Sequence, residues 1–166
     1  MIPIISHLFV TDRFLIKGRA ITGDRRLSTY LETVRKPWVM IEDVTLIDLA
    51  TRDRVVVQRG HLRSKDIVLA HELLDITGDQ FRKTQGEVGS DDLDLVCCYF
   101  RHPIRYELTG RVRKDSTLAD ESSGFHVVLN PSLRGFETAG DADLELVTRL
   151  PYLIVQRSHI QCLLGL

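Results

Sequence analysis

Arg25-Arg26 and Arg35-Lys36 lie on either side of Tyr30, and the second pair stands just before Trp38. Cations beside aromatic rings can hold phosphates while the rings stack on bases. Arg26, Tyr30, Arg35 and Trp38 are therefore the first candidate ligand-binding residues. A structural reading competes with this one. Tryptophan is usually highly buried, and long cationic side chains lay their stems on apolar surface with their heads in water. On that ground the stronger expectation puts Trp38 and Leu31 in the core and leaves the cations solvated.

The other reactive side chains do not combine into a catalytic or metal motif. His7, His61, His71, His102, His126 and His159 are scattered, and none has a His, Cys or carboxylate partner at a metal-site spacing. No metal, cofactor or catalytic residue is expected. Cys97-Cys98 lies in the apolar run Leu95–Phe100, so at least one thiol should point into a core and be inert. Three cysteines, two of them adjacent, make a poor disulfide framework and fit a reducing cytoplasm. Ser122-Ser123-Gly124 lacks the preceding glycine of a nucleophile elbow.

The elements that must position these residues are mainly strands, because the apolar pattern has period two. His7–Thr11 and Phe14–Thr22 read as strands, the second interrupted by Gly18 where a strand can bend or another backbone approach. Leu27, Tyr30 and Leu31 have helical spacing, which predicts a short helical turn over Arg26–Glu32. Trp38–Leu49 is a long strand with a bulge at Glu42-Asp43. Thr51–Asp53 reads as a hairpin turn, and the β-branched Val55–Val57 restarts a strand. Arg63–Asp66 is a tight polar turn. Ile67–Leu74 is strand or helix by periodicity alone.

Asp75–Asp94 is rich in glycine and acidic residues and poor in apolar ones, which marks a linker or long loop. The order of the first half then recurs. Leu15–Ala20 aligns with Glu107–Val112, Trp38–Ile41 with Phe125–Val128, and Ser64–Leu69 with Arg157–Cys162. The expected class is all-β, as two tandem copies of one unit: residues 1–75, a linker over 76–94, and residues 95–166. Gly18 and Gly110 should occupy equivalent bent strands, Leu27 and Leu118 should each plug a barrel end, and Ile67 and Ile160 should be buried on closing strands. At 43% apolar content the chain has the composition of a folded protein, and no apolar run is long enough for a membrane span. A formal charge of −1 weighs against bulk electrostatic binding of nucleic acid but permits a local basic patch.

A bent early strand with a central glycine, two middle strands, and a last strand after a tight turn resembles the Sm-like small β-barrel. Val57-Gln58-Arg59-Gly60-His61-Leu62 is similar to the apolar-x-Arg-Gly segment before the last turn of that fold. Gly18 and Arg26-Leu27-Ser28 also resemble segments of uncharacterised bacterial small-barrel proteins. The Sm-like resemblance implies single-stranded RNA binding and adds Arg59 to Arg26, Tyr30, Arg35 and Trp38. Arg101-His102-Pro103-Ile104-Arg105 with Asp120 and Ser122 resembles the PilZ domain, which implies a cyclic-dinucleotide site at Arg101, Arg105, Asp120 and Ser122. Set against both is a non-enzymatic reading. Small barrels leave strand edges, and unpaired edges associate unless blocked. The expected partners are therefore protein subunits or further copies of the chain in a cytoplasmic complex.

Overall fold

The computed structural model describes residues 6–73, 92–114 and 124–165. The fold is all-β, and its strands pair antiparallel. The chain divides into two compact units, Met1–Asp79 and Gln80–Leu166.

The first unit contains β1 (Ser6–Val10), β2 (Phe14–Ala20), helix α1 (Leu27–Thr33), β3 (Trp38–Asp48), β4 (Arg54–Arg63) and β5 (Leu69–Leu73). Its strand order is β5-β1-β2-β3-β4. The β1–β2 turn is set by Thr11, whose hydroxyl accepts from the Phe14 amide at 2.9 Å and the Arg13 amide at 3.2 Å. Seven residues are too few for a helix to stand alone, so α1 depends on packing. It buries Leu27, Tyr30 and Leu31, the three residues at helical spacing. No side chain of its own caps its start. Instead the Leu27 amide donates to the carboxylate of Glu72 on β5 at 2.7 Å. The segment that was ambiguous by periodicity is strand β5, entered through a 3-10 turn at Ser64–Asp66. Phe9, Leu15, Leu27, Ile41, Ile47, Ile67 and Leu69 are wholly buried.

The second unit contains β6 (Leu93–Phe100), β7 (Glu107–Arg113), β8 (Phe125–Arg134), helix α2 (Ala142–Val147), β9 (Tyr152–Gln156) and β10 (Ile160–Gly165). Its order is β10-β6-β7-β8-β9, so its five strands follow the same sequence of positions as those of the first unit. A 3-10 turn at Arg157–His159 again precedes the last strand. Strand β6 opens at Leu93, inside the stretch read as linker, and the remainder of that stretch, 76–91, lies outside the described residues. Helix α2 is an addition to the expected pattern. Asp141 caps it, its carboxylate accepting from the amides of Asp143 at 3.0 Å and Leu144 at 3.2 Å. Cys98, Leu108, Val128, Leu144 and Val155 fill the core, and Ile160 is buried at the start of β10. Leu118 lies outside the described residues.

Gly18 and Gly110 each lie on the second strand of their unit, where its pairing with the third strand slips. In the first unit the slip falls between Lys17–Thr45 and Arg19–Glu42, and Asp43 takes φ 52°. In the second it falls between Thr109–Ser132 and Arg111–Leu129, and Asn130 takes φ 47°. A Cβ on Gly18 would meet Ile41 Cγ2 at 2.6 Å and the Glu42 carbonyl oxygen at 2.7 Å. One on Gly110 would collide with Val128 and sit 3.1 Å from the Leu129 carbonyl oxygen. Gly60 differs, since its nearest neighbour would be Val44 Cγ2 at an ordinary 3.5 Å.

Gly18→Ala and Gly110→Ala should each lower stability by about 1–3 kcal/mol through overpacking. Gly60→Ala should stay within about 0.5 kcal/mol of the parent. Urea midpoints of the three variants check this, and equal midpoints would contradict the close-approach account.

Candidate functional site

Hairpin β3–β4 presents Trp38, Met40, Val55, Val56 and Val57 at the surface. Its turn is built around Asp48, whose carboxylate accepts from the amides of Ala50 at 2.8 Å and Thr51 at 3.0 Å and from Arg13 Nε at 3.1 Å. The Thr51 and Ala50 amides, with Arg13, hold the Asp48 carboxyl below the usual carboxylate range. The Thr51 hydroxyl donates to Asp53 at 2.8 Å, and Asp48 and Asp53 also pair through their backbones. From this anchored turn the register runs from Ile47–Arg54 to Trp38–Arg63.

Strand β4 ends the sheet order of its unit, and its exposure is unlike that of any other strand there. Val55, Val56 and Val57 are 51%, 75% and 43% exposed, and only Leu62 on this strand is buried. Three consecutive β-branched residues on an exposed edge form a template for strand addition. The sequence showed the β-branched run but not its exposure, because burial at an edge depends on whether another strand lies beside it.

The residues proposed for nucleic acid separate into two groups. Arg26 and Tyr30 serve the interior: Arg26 Nε is 3.1 Å from buried Glu72, and Tyr30 is in the core. The ring of Tyr30 is thus not presented for stacking. Arg35, Trp38 and Arg59 are on the surface. Trp38 is 49% exposed, against the expectation that it fills the core. The physical reason is the alternation of β3, where Val39 and Ile41 take the buried positions and Trp38 and Met40 the outer ones. Trp38 faces Arg63 across the hairpin, with the guanidinium 5.6 Å from the ring centroid. Met40 faces His61, and Glu42 faces Arg59 at 3.3 Å and pairs with Arg19 on its other side. Met40, His61 and Arg63 join this face only through strand pairing, which sequence spacing does not display.

Of the four residues of the cyclic-dinucleotide reading, Arg101 and Arg105 are among the described residues. Arg101 and Arg105 are exposed, on a segment pinned by buried Ile104 and Tyr106. The Tyr106 ring meets Phe100 at 5.4 Å and Phe136 at 5.3 Å. Asp120 and Ser122 lie outside the described residues. Cys98 is wholly buried, and burial together with Cys97 pushes its thiol up to about 12. Cys97 is also buried, whereas Cys162 is exposed.

A buried polar cluster sits behind α1. His7 lies opposite Glu72 in the β1–β5 pairing, and His71 opposite Leu8; all three polar residues are buried. The Ala20 amide donates to His7 Nδ1 at 2.9 Å, which fixes an imidazole neutral at that nitrogen. Burial, then His71, then Arg26 lower the His7 pKa to about 4. Through the Leu27 amide and Arg26, Glu72 holds the start of α1 to β5.

His7 supplies a pH prediction. Its proton is lost near 6.5 in the unfolded chain and near 4 in the folded one. The unfolded state therefore binds more protons between those values. The contribution is complete above 6.5 and declines as pH falls toward 4, by up to about 3 kcal/mol. Unfolding free energy measured from pH 7 to pH 4 should show this slope, and His7→Asn, which keeps an acceptor near the Nδ1 position, should flatten it. An unchanged slope in that variant would assign the acid sensitivity elsewhere.

Comparison with family models, with curated proteins and with solved structures finds no match to this chain.

Proposed function

We propose that the chain is a non-enzymatic assembly module of a cytoplasmic complex, built from two divergent Sm-like small barrels, and that β4 is its association edge. One observation carries the reading: Val55, Val56 and Val57 are exposed in succession on the last strand of the first unit's sheet order. Such an edge offers a row of backbone donors and acceptors, and its β-branched side chains favour an extended partner. The tandem reading is supported by the common strand order and by the two glycines at corresponding register slips. No described helix is long and apolar enough to cross a membrane.

A second reading is favoured by Trp38, half exposed under Arg63 and preceded by Arg35-Lys36. An open ring flanked by cations suits a single-stranded RNA, with the ring stacking on a base and the cations holding phosphates. Its test is a gel shift at low salt. Trp38→Ala should weaken binding of a short single-stranded RNA by roughly tenfold while leaving the urea midpoint nearly unchanged. Absence of any shift for the parent chain would end this reading.

The edge reading predicts association that depends on β4 alone. Light scattering over a concentration series should show mass above that of one chain, and Val56→Lys should return it to one chain without loss of thermal stability. A parent that stays a single chain at high concentration, and takes up no partner that Val56→Lys fails to bind, would remove the proposal.

A further inference from the structure

Deepening the reading of β4 as an association edge, on which this inference rests, we infer that its partner is β4 of a second copy, paired antiparallel about a two-fold axis at Val56. An edge strand that meets its own copy must be self-complementary, since each residue faces a residue of the same segment. Directly opposed residues in an antiparallel pair also share one face of the sheet, which restricts the registers to those centred on a residue.

Among these registers the one centred on Val56 is set apart by both apolar matching and charge. It places Val56 opposite Val56, Val55 opposite Val57, Arg54 opposite Gln58, and Asp53 opposite Arg59. All seven residues from Asp53 to Arg59 are exposed, so none is withdrawn from a partner. The valines meet only valines, and the symmetry repeats the Asp53–Arg59 pair at both ends of the contact. Moving the centre to Val55 sets Val57 against Asp53. Moving it to Val57 sets Val55 against Arg59. Either shift loses apolar cross-strand pairs that stabilise an antiparallel ladder and leaves Asp53 without its cation.

The local structure is prepared for this pairing. The Asp48 turn holds Asp53 at the head of β4, with its carboxylate fixed by the Thr51 hydroxyl. Arg59 is 60% exposed, and its guanidinium meets Glu42 of the neighbouring strand β3 at 3.3 Å. An edge whose two charged ends match each other, with valines between them, recognises its own copy better than an unrelated strand.

The register is read by cysteine pairing in a Cys162→Ser background, where the two remaining thiols are buried. Directly opposed Cβ atoms on paired strands lie about 4.5–5.5 Å apart, close enough for a disulfide after small adjustment. Under mild oxidation Val56→Cys should give a covalent dimer. Val55→Cys alone should not, whereas a mixture of Val55→Cys with Val57→Cys should. Independently, Asp53→Arg should weaken dimerisation by roughly tenfold, because it sets like charges opposite at two symmetric places. Adding Arg59→Asp should restore it. Circular dichroism identifies any variant that fails to fold.

Association that Val56→Lys abolishes, but with no covalent Val56→Cys dimer and no rescue by the charge-reversed pair, would overturn the self-pairing and leave the edge reading in place. Association unaffected by Val56→Lys would overturn both.

Discussion

The contact that shapes the first unit is the passage of β3 across Gly18. With Ile41 Cγ2 and the Glu42 carbonyl within 3 Å of where a Cβ would stand, only glycine admits β3 so close. The extra residue that β3 carries there is absorbed at Asp43 in a left-handed conformation. On one side of that point Val39 and Ile41 are buried; on the other Val44 and Ile47 are. The strand thus changes which of its residues face the core without breaking its pairing to β4. The second unit solves the same problem with Gly110 and Asn130.

That bend has consequences for the surface. Because Val39 and Ile41 turn inward, Trp38 and Met40 are turned out beside Arg63 and His61. The Asp48 turn then returns the chain as β4, which is left with a partner on one side within its unit. Charged residues on an edge are the usual protection against association, and β4 does carry Arg54, Arg59 and Arg63. They lie toward its ends or beside Glu42, and they leave the three valines uncovered. An edge guarded at its margins and open at its centre fits selective pairing better than indiscriminate aggregation.

Much of the fold was legible because local signals agreed with the global arrangement. Period-two runs marked the strands, helical spacing at Leu27, Tyr30 and Leu31 marked α1, and Glu42-Asp43 marked the irregularity in β3. What was not legible depended on neighbours distant in sequence. Trp38 has the composition of a core residue, and only its position relative to Val39 and Ile41 turns it outward. The buried His7–Glu72 pairing is assembled by the β1–β5 register, and Glu72 reaches on to α1. Helix α2 had a signal that the strand pattern masked: Asp141 at its start, followed by Leu144 and Val147 at helical spacing. The site at β4 required knowing where the sheet order ends, which no spacing encodes.

Hydrogen exchange of the β4 amides tests the central claim most directly, since an edge strand that gains a partner must gain hydrogen bonds. At concentrations where the chain associates, amides between Asp53 and Arg59 that point away from β3 should become protected, and they should exchange rapidly on dilution. Protection of those amides that is the same at both concentrations, while the measured mass rises, would place the association on another surface and contradict the account.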